Sequence, residues 1–377
     1  MRMTTRELNR ATLGRQLLLR REALKVGDAV RRVVALQAQQ PASPYVALWN
    51  RLTDFDPVDL DAAFGDRTLV KATLMRITLH VVHADDHPAM HTAMRPTLRG
   101  ARLGDRRFTA SGLSAADADM LVPHLLEFAG RPRTAAEVED WLHTRLAVLP
   151  KGVWWALRSF APLLHAPTGA PWSFGSRPSY VTAGTPPTPE GTPDECLRAL
   201  VQRYLEGFGP ASVADVAQFA LVQRSRARDA VHAVSGALER LEGPDGTELF
   251  DVSGAPRPHE DTPAPPRLLA MWDSILLAYA DRSRVIPPDY RKLVARSNGD
   301  VLPTLLVDGY VAGVWRPVEG GIEATAFHRL SGEAWDGLAA EARSLVALLT
   351  DREPRAYRRY DRWWATLPSA EVRVLPG

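Results

Sequence analysis

Apolar positions recur at three- and four-residue spacing from Thr5 to about Leu19 and again from about Asp28 to Leu36. This pattern predicts two helices, the first capped by Thr5. Asp56 opens a third, carried by Leu60 and Phe64. Two runs rich in Val, Ile, Leu and Thr follow, Leu69–Ile77 and Thr78–Ala84, and read as strands. Three helices and then a β-ribbon is the element order of a winged helix, in which one helix enters a DNA groove and the ribbon contacts backbone.

The order recurs. Ser114–Gly130, Thr134–Arg145 and Val153–Ala161 read as helices, with short strands at Leu163–Ala166 and Trp172–Phe174. A connector, GTPPTPEGTPDE, is dense in Pro and Gly and reads as exposed. Helices near Glu195–Glu206, Val213–Phe219 and Ser225–Ala237 precede strands Leu238–Leu241 and Glu248–Val252, with Gly243-Pro244-Asp245-Gly246 as the turn. After a second proline-rich stretch, GAPRPHEDTPAPPR, the runs Val301–Val307 and Tyr310–Trp315 flank Asp308-Gly309, a strong hairpin signal. A helix near Glu333–Leu349 and a strand Glu371–Leu375 end the chain. The expectation is an α+β chain of three tandem winged-helix units, 1–110, 111–185 and 190–257, followed by a β-rich region, 258–377. It rests on element order, without a repeat in the residues themselves.

Composition narrows the function. The chain has 377 residues, 45% hydrophobic and 24% charged, as expected of a globular protein of several domains. No run reaches the ~18–20 apolar residues that span a bilayer. The first residues carry no secretory apolar core, so a cytoplasmic protein without a membrane partner is expected. Cys196 is the only cysteine, which excludes an intrachain disulfide and a thiolate zinc site. It is expected to be buried on a helix. Net charge is +2, so a nucleic-acid surface has to come from clustering. Of the 46 basic residues only Lys25, Lys71, Lys151 and Lys292 are lysine. A GC-rich genome produces that bias without functional cause, although arginine also suits paired bonds to phosphate.

Phosphate-binding glycine loops and Gly-x-Ser-x-Gly turns are absent. His83, His87 and His91 are spaced by four, but His83 falls at a strand end, so a polar, partly exposed cluster is expected rather than a metal site. Arg95, Arg99, Arg102 and Arg106 have the spacing of a phosphate-tracking helix face. Pro96, Gly100 and Gly104 interrupt it, and a solvated loop is the competing reading. Arg224, Arg226 and Arg228 fall in the recognition-helix position of the third unit. Asp273 is the carboxylate to weigh as a catalyst, against a structural acceptor.

The segment Leu36-Gln37-Ala38-Gln39-Gln40-Pro41-Ala42-Ser43-Pro44-Tyr45 runs from an expected helix into three glutamines and two prolines. Glutamines at a helix end are ordinarily solvated or satisfy loose backbone groups. Here rigid prolines and the apolar Leu36, Tyr45, Leu48 and Trp49 bound them, which is the setting of a supported site. Together with Arg76-Ile77-Thr78-Leu79-His80, Tyr204-Leu205-Glu206-Gly207-Phe208-Gly209-Pro210, Trp272-Asp273-Ser274-Ile275-Leu276-Leu277-Ala278-Tyr279-Ala280-Asp281-Arg282 and Pro303–Gly309, this segment resembles the bacterial winged-helix DNA glycosylases of the AlkZ and YcaQ type. Glutamine rather than aspartate at position 39 places the resemblance on the AlkZ branch.

That resemblance implies a C-shaped, basic concave surface around duplex DNA, excision of cationic alkylated purines including bulky adducts and interstrand cross-links, and Gln37 and Gln39 as the catalytic pair. It implies a groove-probing hairpin, mapped to Asp308-Gly309. DNA contacts are expected from Arg95, Arg99, Arg224, Arg226, Asp308 and Gly309. A monomer without cofactor or metal is expected.

Amides do not titrate and so cannot protonate a leaving group. They suffice only where the departing base is already a cation and leaves neutral. No lyase step is expected, since none of the four lysines is a sequence neighbour of the glutamines. The alternative is a non-enzymatic winged-helix regulator.

Overall fold

The computed structural model describes residues 1–146, 152–184 and 191–377. Helix α1 (Thr5–Arg15) has its cap one residue earlier than expected. Thr4 accepts from Glu7 N–H while Glu7 accepts from Thr4 N–H, a reciprocal capping box. α2 (Val26–Arg32) stops before the apolar run ends. The expected continuation to Leu36 is not helical: Leu36–Gln37 forms β1. Four to six apolar residues fit a buried strand as well as a helix, and the sheet edge decided. Pro44 then opens α3 (Ser43–Trp49), a helix the sequence pattern does not announce. α4 (Pro57–Gly65) is capped by Asp56 as expected. The hairpin is β2 (Leu69–Thr73) and β3 (Leu79–His83). α5 (His87–Leu103) is continuous through Pro96, so the loop alternative for its arginines fails. α6 (Arg106–Thr109) follows.

The second unit comprises α7 (Ala115–Phe128), β4 (Arg133–Thr134), α8 (Ala135–Leu146), α9 (Val153–Phe160), β5 (Leu163–Ala166) and β6 (Ser179–Thr182). The strand expected at Trp172–Phe174 is instead a loop. The first two hairpins join through Lys71↔His165 into one six-stranded sheet, ordered β1-β3-β2-β5-β6-β4. The expected division at residue 110 therefore lies inside one continuous sheet assembly. Part of the expected proline-rich connector, 185–190, lies outside the described residues.

The third unit matches its expected order: α10 (Pro193–Phe208), α11 (Val213–Ala220), α12 (Arg224–Val234), then the hairpin β7 (Leu238–Glu242) and β8 (Glu248–Val252). Cys196 is buried on α10. The C-terminal region adds β9 (Arg267–Leu268), α13 (Arg291–Val294), β10 (Thr304–Val307), β11 (Tyr310–Val318), β12 (Gly321–Ala326), α14 (Gly332–Thr350), α15 (Asp361–Trp364) and β13 (Glu371–Pro376). Its strands form a five-stranded antiparallel sheet, β13-β12-β11-β10-β9, backed by α14.

Two enclosed ion pairs tie distant parts of the chain together. Arg15 makes paired bonds to Asp251 at 2.7 and 2.8 Å, and Arg51 pairs with Asp273 at 2.8 and 2.8 Å. All four side chains are essentially inaccessible. Removing one partner of such a pair leaves a bare buried charge, typically at a cost of ~3–5 kcal/mol. No described helix is long and apolar enough to cross a membrane.

Candidate active site

The chain reaches Gln37 under tight control. Helix α2 ends at Arg32, and Val34 adopts a positive φ of 75°. Gly207 on α10 lies against it, where an added Cβ would strike the Val34 side chain. Ser274 Oγ donates to the Ala35 carbonyl at 2.9 Å. β1 then pairs with β3, placing Gln37 opposite His80, and Ala38 N–H donates to the Leu79 carbonyl.

The β2–β3 turn positions a cation beneath Gln37. Arg76 and Ile77 hold φ values of 55° and 58°. A left-handed backbone costs roughly 1–2 kcal/mol per non-glycine residue, and a β-branched residue there is an outlier. In return the Arg76 guanidinium donates to Gln37 Oε1 at 2.8 Å and to the Phe219 carbonyl at 3.1 Å, and lies 3.2 Å from His80 Nε2. Burial, then the Arg282 cation, pushes the Arg76 pKa down to about 10. Burial and the Arg76 cation push His80 down to about 3, so its imidazole is neutral near pH 7.

Gln37 itself is 5% exposed. Gln39 is exposed, and its Oε1 accepts from Leu79 N–H at 3.0 Å. Guanidinium and backbone N–H groups only donate, so the orientation of both amides follows from their partners. Each glutamine oxygen keeps a second lone pair.

The recognisable stretches build the floor of this arrangement. Tyr204, Phe208 and Phe219 stack together, and the Arg76 guanidinium sits 5.4 Å above the Phe219 ring. Tyr204 donates to the Ala278 carbonyl and Tyr279 to that of Phe208. Tyr45 donates to Asp61 and packs 5.1 Å from Trp172. Asp273 is consumed by Arg51 and acts as a structural acceptor.

An open cleft of about 880 Å³ begins at Gln39 and runs across β2 and β5. Gln39, Lys71, Arg158, His165, Trp172 and Tyr180 are among its walls, and Gln37 is not. Lys71, distant from the glutamines in sequence, is brought by the pairing of β2 with β3 onto the wall of the cleft that also carries Gln39. Sequence distance hides this, although a lysine inside the apolar run Leu69–Ile77 is a visible signal. Arg76 is likewise visible in a recognised stretch, but its role depends on a turn conformation that residue types do not announce.

The other expected residues divide. Arg95 is exposed on α5. Arg99 is committed to Asp119 of α7, at 2.9 and 2.6 Å. Arg224 and Arg228 are exposed and line a second cleft, of about 590 Å³, beside the β7–β8 hairpin. Arg226 turns away and pairs with Asp194 at 2.7 Å. Asp308 and Gly309 form a turn with both φ values positive, docked on α1. Asp308 bonds Arg6 and Arg10, and a Cβ at Gly309 would collide with Asn9 and Arg10. The turn is thus anchored on α1, with the Asp308 side chain still half exposed.

His87 and His91 also depart from expectation. They are buried, stacked at 5.8 Å, rather than partly exposed, because α5 is packed by both α10 and α9, and His91 bonds the backbone of Phe160 on α9. Among the described residues no group of three or more His, Cys, Asp or Glu converges to hold a metal.

Comparison with known proteins places the chain in a family. The chain resembles the interstrand DNA cross-link repair glycosylase of Streptomyces sahachiroi, with 28% identity over 357 residues that cover 87% of this chain and 91% of the relative. The solved structure of Streptomyces sahachiroi DNA glycosylase AlkZ superposes with a TM-score of 0.78 at 20% identity, covering 94% of this chain and 98% of that one. The sequence model described as DNA glycosylase AlkZ-like matches residues 30–348, a span holding the glutamines, Arg76 and the aromatic floor, and the chain belongs to the AlkZ-like DNA glycosylase family.

Proposed function

We propose that this protein hydrolyses the N-glycosidic bond of cationic alkylated purines in duplex DNA, using Gln37 and Gln39 and no strand-cleaving step. The substrates are N7-alkylguanine, N3-alkyladenine, bulky adducts and interstrand cross-links. The observation that carries the reading is a pair of uncharged amides held in fixed orientation, Gln39 at the edge of an open cleft and Gln37 buried beside it in sequence, with Asp273 already spent on Arg51. Most glycosidic hydrolysis uses a carboxylate acid and a carboxylate base. A cationic purine needs no acid, because cleavage returns it to a neutral base. The remaining lone pairs of the two glutamine oxygens hold the attacking water while positive charge grows on the sugar.

The open cleft supports the bulky substrates. A base tied to the opposite strand cannot rotate into a closed pocket, and Gln37 lines none of the described clefts. The relative's cross-link repair supports the same class, and self-resistance to a DNA-alkylating antibiotic is the role that class serves. Arg95, Arg224 and Arg228 supply DNA contacts from the exposed surface, on a basic concave face, with the protein acting as a monomer.

The test is release of free base from duplex carrying N7-methylguanine, with Gln37→Ala and Gln39→Ala compared. The expected result is strong loss in both variants with the fold retained. Unchanged release in both removes the glutamines from the mechanism. Absence of release from the wild type leaves a DNA-binding regulator.

A further inference from the structure

The wall of the Gln39 cleft carries positive charge that the fold does not neutralise. Lys71 on β2 is 4% exposed. Among the described residues no carboxylate lies within ion-pair distance of its ammonium, which instead sits 4.4 Å over the Phe174 ring. Arg158 on α9 and Arg102 on α5 line the same cleft, and among the described residues neither forms an ion pair with a carboxylate. Arg102 donates to Ser159 Oγ at 3.1 Å and stacks 4.4 Å from Trp155. The carboxylate on this wall, Glu353, accepts from the Trp172 indole at 2.7 Å.

Buried charges are ordinarily paired, because removing an unpaired one from water is expensive. Three cations gathered with no carboxylate in ion-pair contact among the described residues, one of them nine-tenths buried, form a site completed by an anion. The cost is visible in the free protein. Burial pushes the Lys71 pKa down to about 8. Neighbouring His165 is pushed to about 3 by burial and then by the Lys71 and Arg158 cations, so it stays neutral and does not add to the charge.

We infer that this cleft binds one backbone phosphodiester of the DNA, held by Lys71, Arg158 and Arg102, and so draws the strand bearing the lesion against Gln39. The dimensions fit: Lys71 and Thr73 share a face of β2, Thr73 pairs with Leu79, and Leu79 N–H holds Gln39. Lys71 pairs with Val81 and Val81 with Leu36, so three residues along the chain and two strands across place Lys71 and Gln39 roughly 14 Å apart at the backbone. That separation lets a lysine and a glutamine side chain act on one strand.

The inference rests on the chain binding DNA and not on excision by the glutamines, so the assay uses undamaged duplex. Binding of a fluorescent duplex by the full chain is measured from 50 to 300 mM salt, for wild type, Lys71→Met and Arg158→Gln. A variant that neutralises one phosphate fewer has a slope of log affinity against log salt shallower by about 0.9. The expected result is a slope reduced by about that amount in each single variant, with affinity about tenfold weaker at low salt. Lys71→Met, which keeps the apolar stem, is expected to melt at a higher temperature than wild type. That combination separates a ligand-binding cation from a structural one, whose removal would lower the melting temperature.

An unchanged slope in both variants overturns the inference. Inorganic phosphate or a deoxynucleoside monophosphate binding wild type but not Lys71→Met, with the DNA slope unchanged, assigns the site to a free anion and overturns the DNA assignment. A cyanoborohydride-trapped adduct with abasic-site duplex that disappears in Lys71→Arg makes the amine a nucleophile and overturns it as well. Loss of methylguanine release in Gln37→Ala, by contrast, leaves the inference standing, because binding of undamaged duplex does not depend on excision.

Discussion

Replacing Arg76 by methionine separates the positioning of Gln37 from the stability of the fold. The change removes the donor 2.8 Å from Gln37 Oε1 and the donor 3.1 Å from the Phe219 carbonyl. Hydrogen bonds from a charged donor contribute ~1.5–3 kcal/mol each. Against them stands the burial of the guanidinium, whose pKa of about 10, down from 12.5, corresponds to roughly 3 kcal/mol opposing the charged folded form. Methionine keeps the apolar stem over Phe219 and inherits the same positive φ. The terms nearly offset, and the net loss of stability is about 0–3 kcal/mol, a shift of a few degrees in melting temperature.

The Gln37 amide, however, is then free to rotate. Deleting a preorganised dipole costs ~10²–10³ in rate, which bounds the effect of Gln37→Ala. A present but unfixed amide loses less, about tenfold or more. Single-turnover release of N7-methylguanine from duplex, alongside thermal unfolding, measures both quantities. A variant that folds and releases base within twofold of wild type, while Gln37→Ala is inactive, would refute the positioning role of Arg76.

Further outcomes follow from the same structure. Asp273→Asn leaves Arg51 buried without its partner and should cost ~3–5 kcal/mol in denaturant unfolding while preserving the turnover of molecules that remain folded; selective loss of turnover would make Asp273 catalytic. His80, His87 and His91 are held neutral in the fold, at about 3, 3 and 4. The unfolded chain takes up protons at these positions near pH 6.5, so stability is full above that pH and falls progressively toward pH 4. His87→Phe should flatten that decline in a pH series of urea midpoints. Arg228→Gln should reduce the salt slope of DNA binding by about 0.9, whereas Arg226→Gln, whose guanidinium is paired with Asp194, should leave it unchanged.

The sequence alone determined the element order of the third unit, the capped start of α4, the Asp308-Gly309 hairpin and the burial of Cys196. Each of these is set by local signals: periodicity, side-chain caps, and turns that demand positive φ. Tertiary structure decided the path through Gln37, because an apolar run of that length fits strand and helix equally until a sheet edge is offered. It decided that Pro44 starts a helix rather than ending one, and that α5 continues through Pro96, where packing along α10 outweighs a missing N–H. It also decided that Asp308, Arg99 and Arg226 sit in ion pairs at the surface, since whether a charge is paired depends on what the rest of the chain brings to it. Lys71 and Gln39 share a wall only because three strands align in register, and no spacing along the chain encodes that meeting.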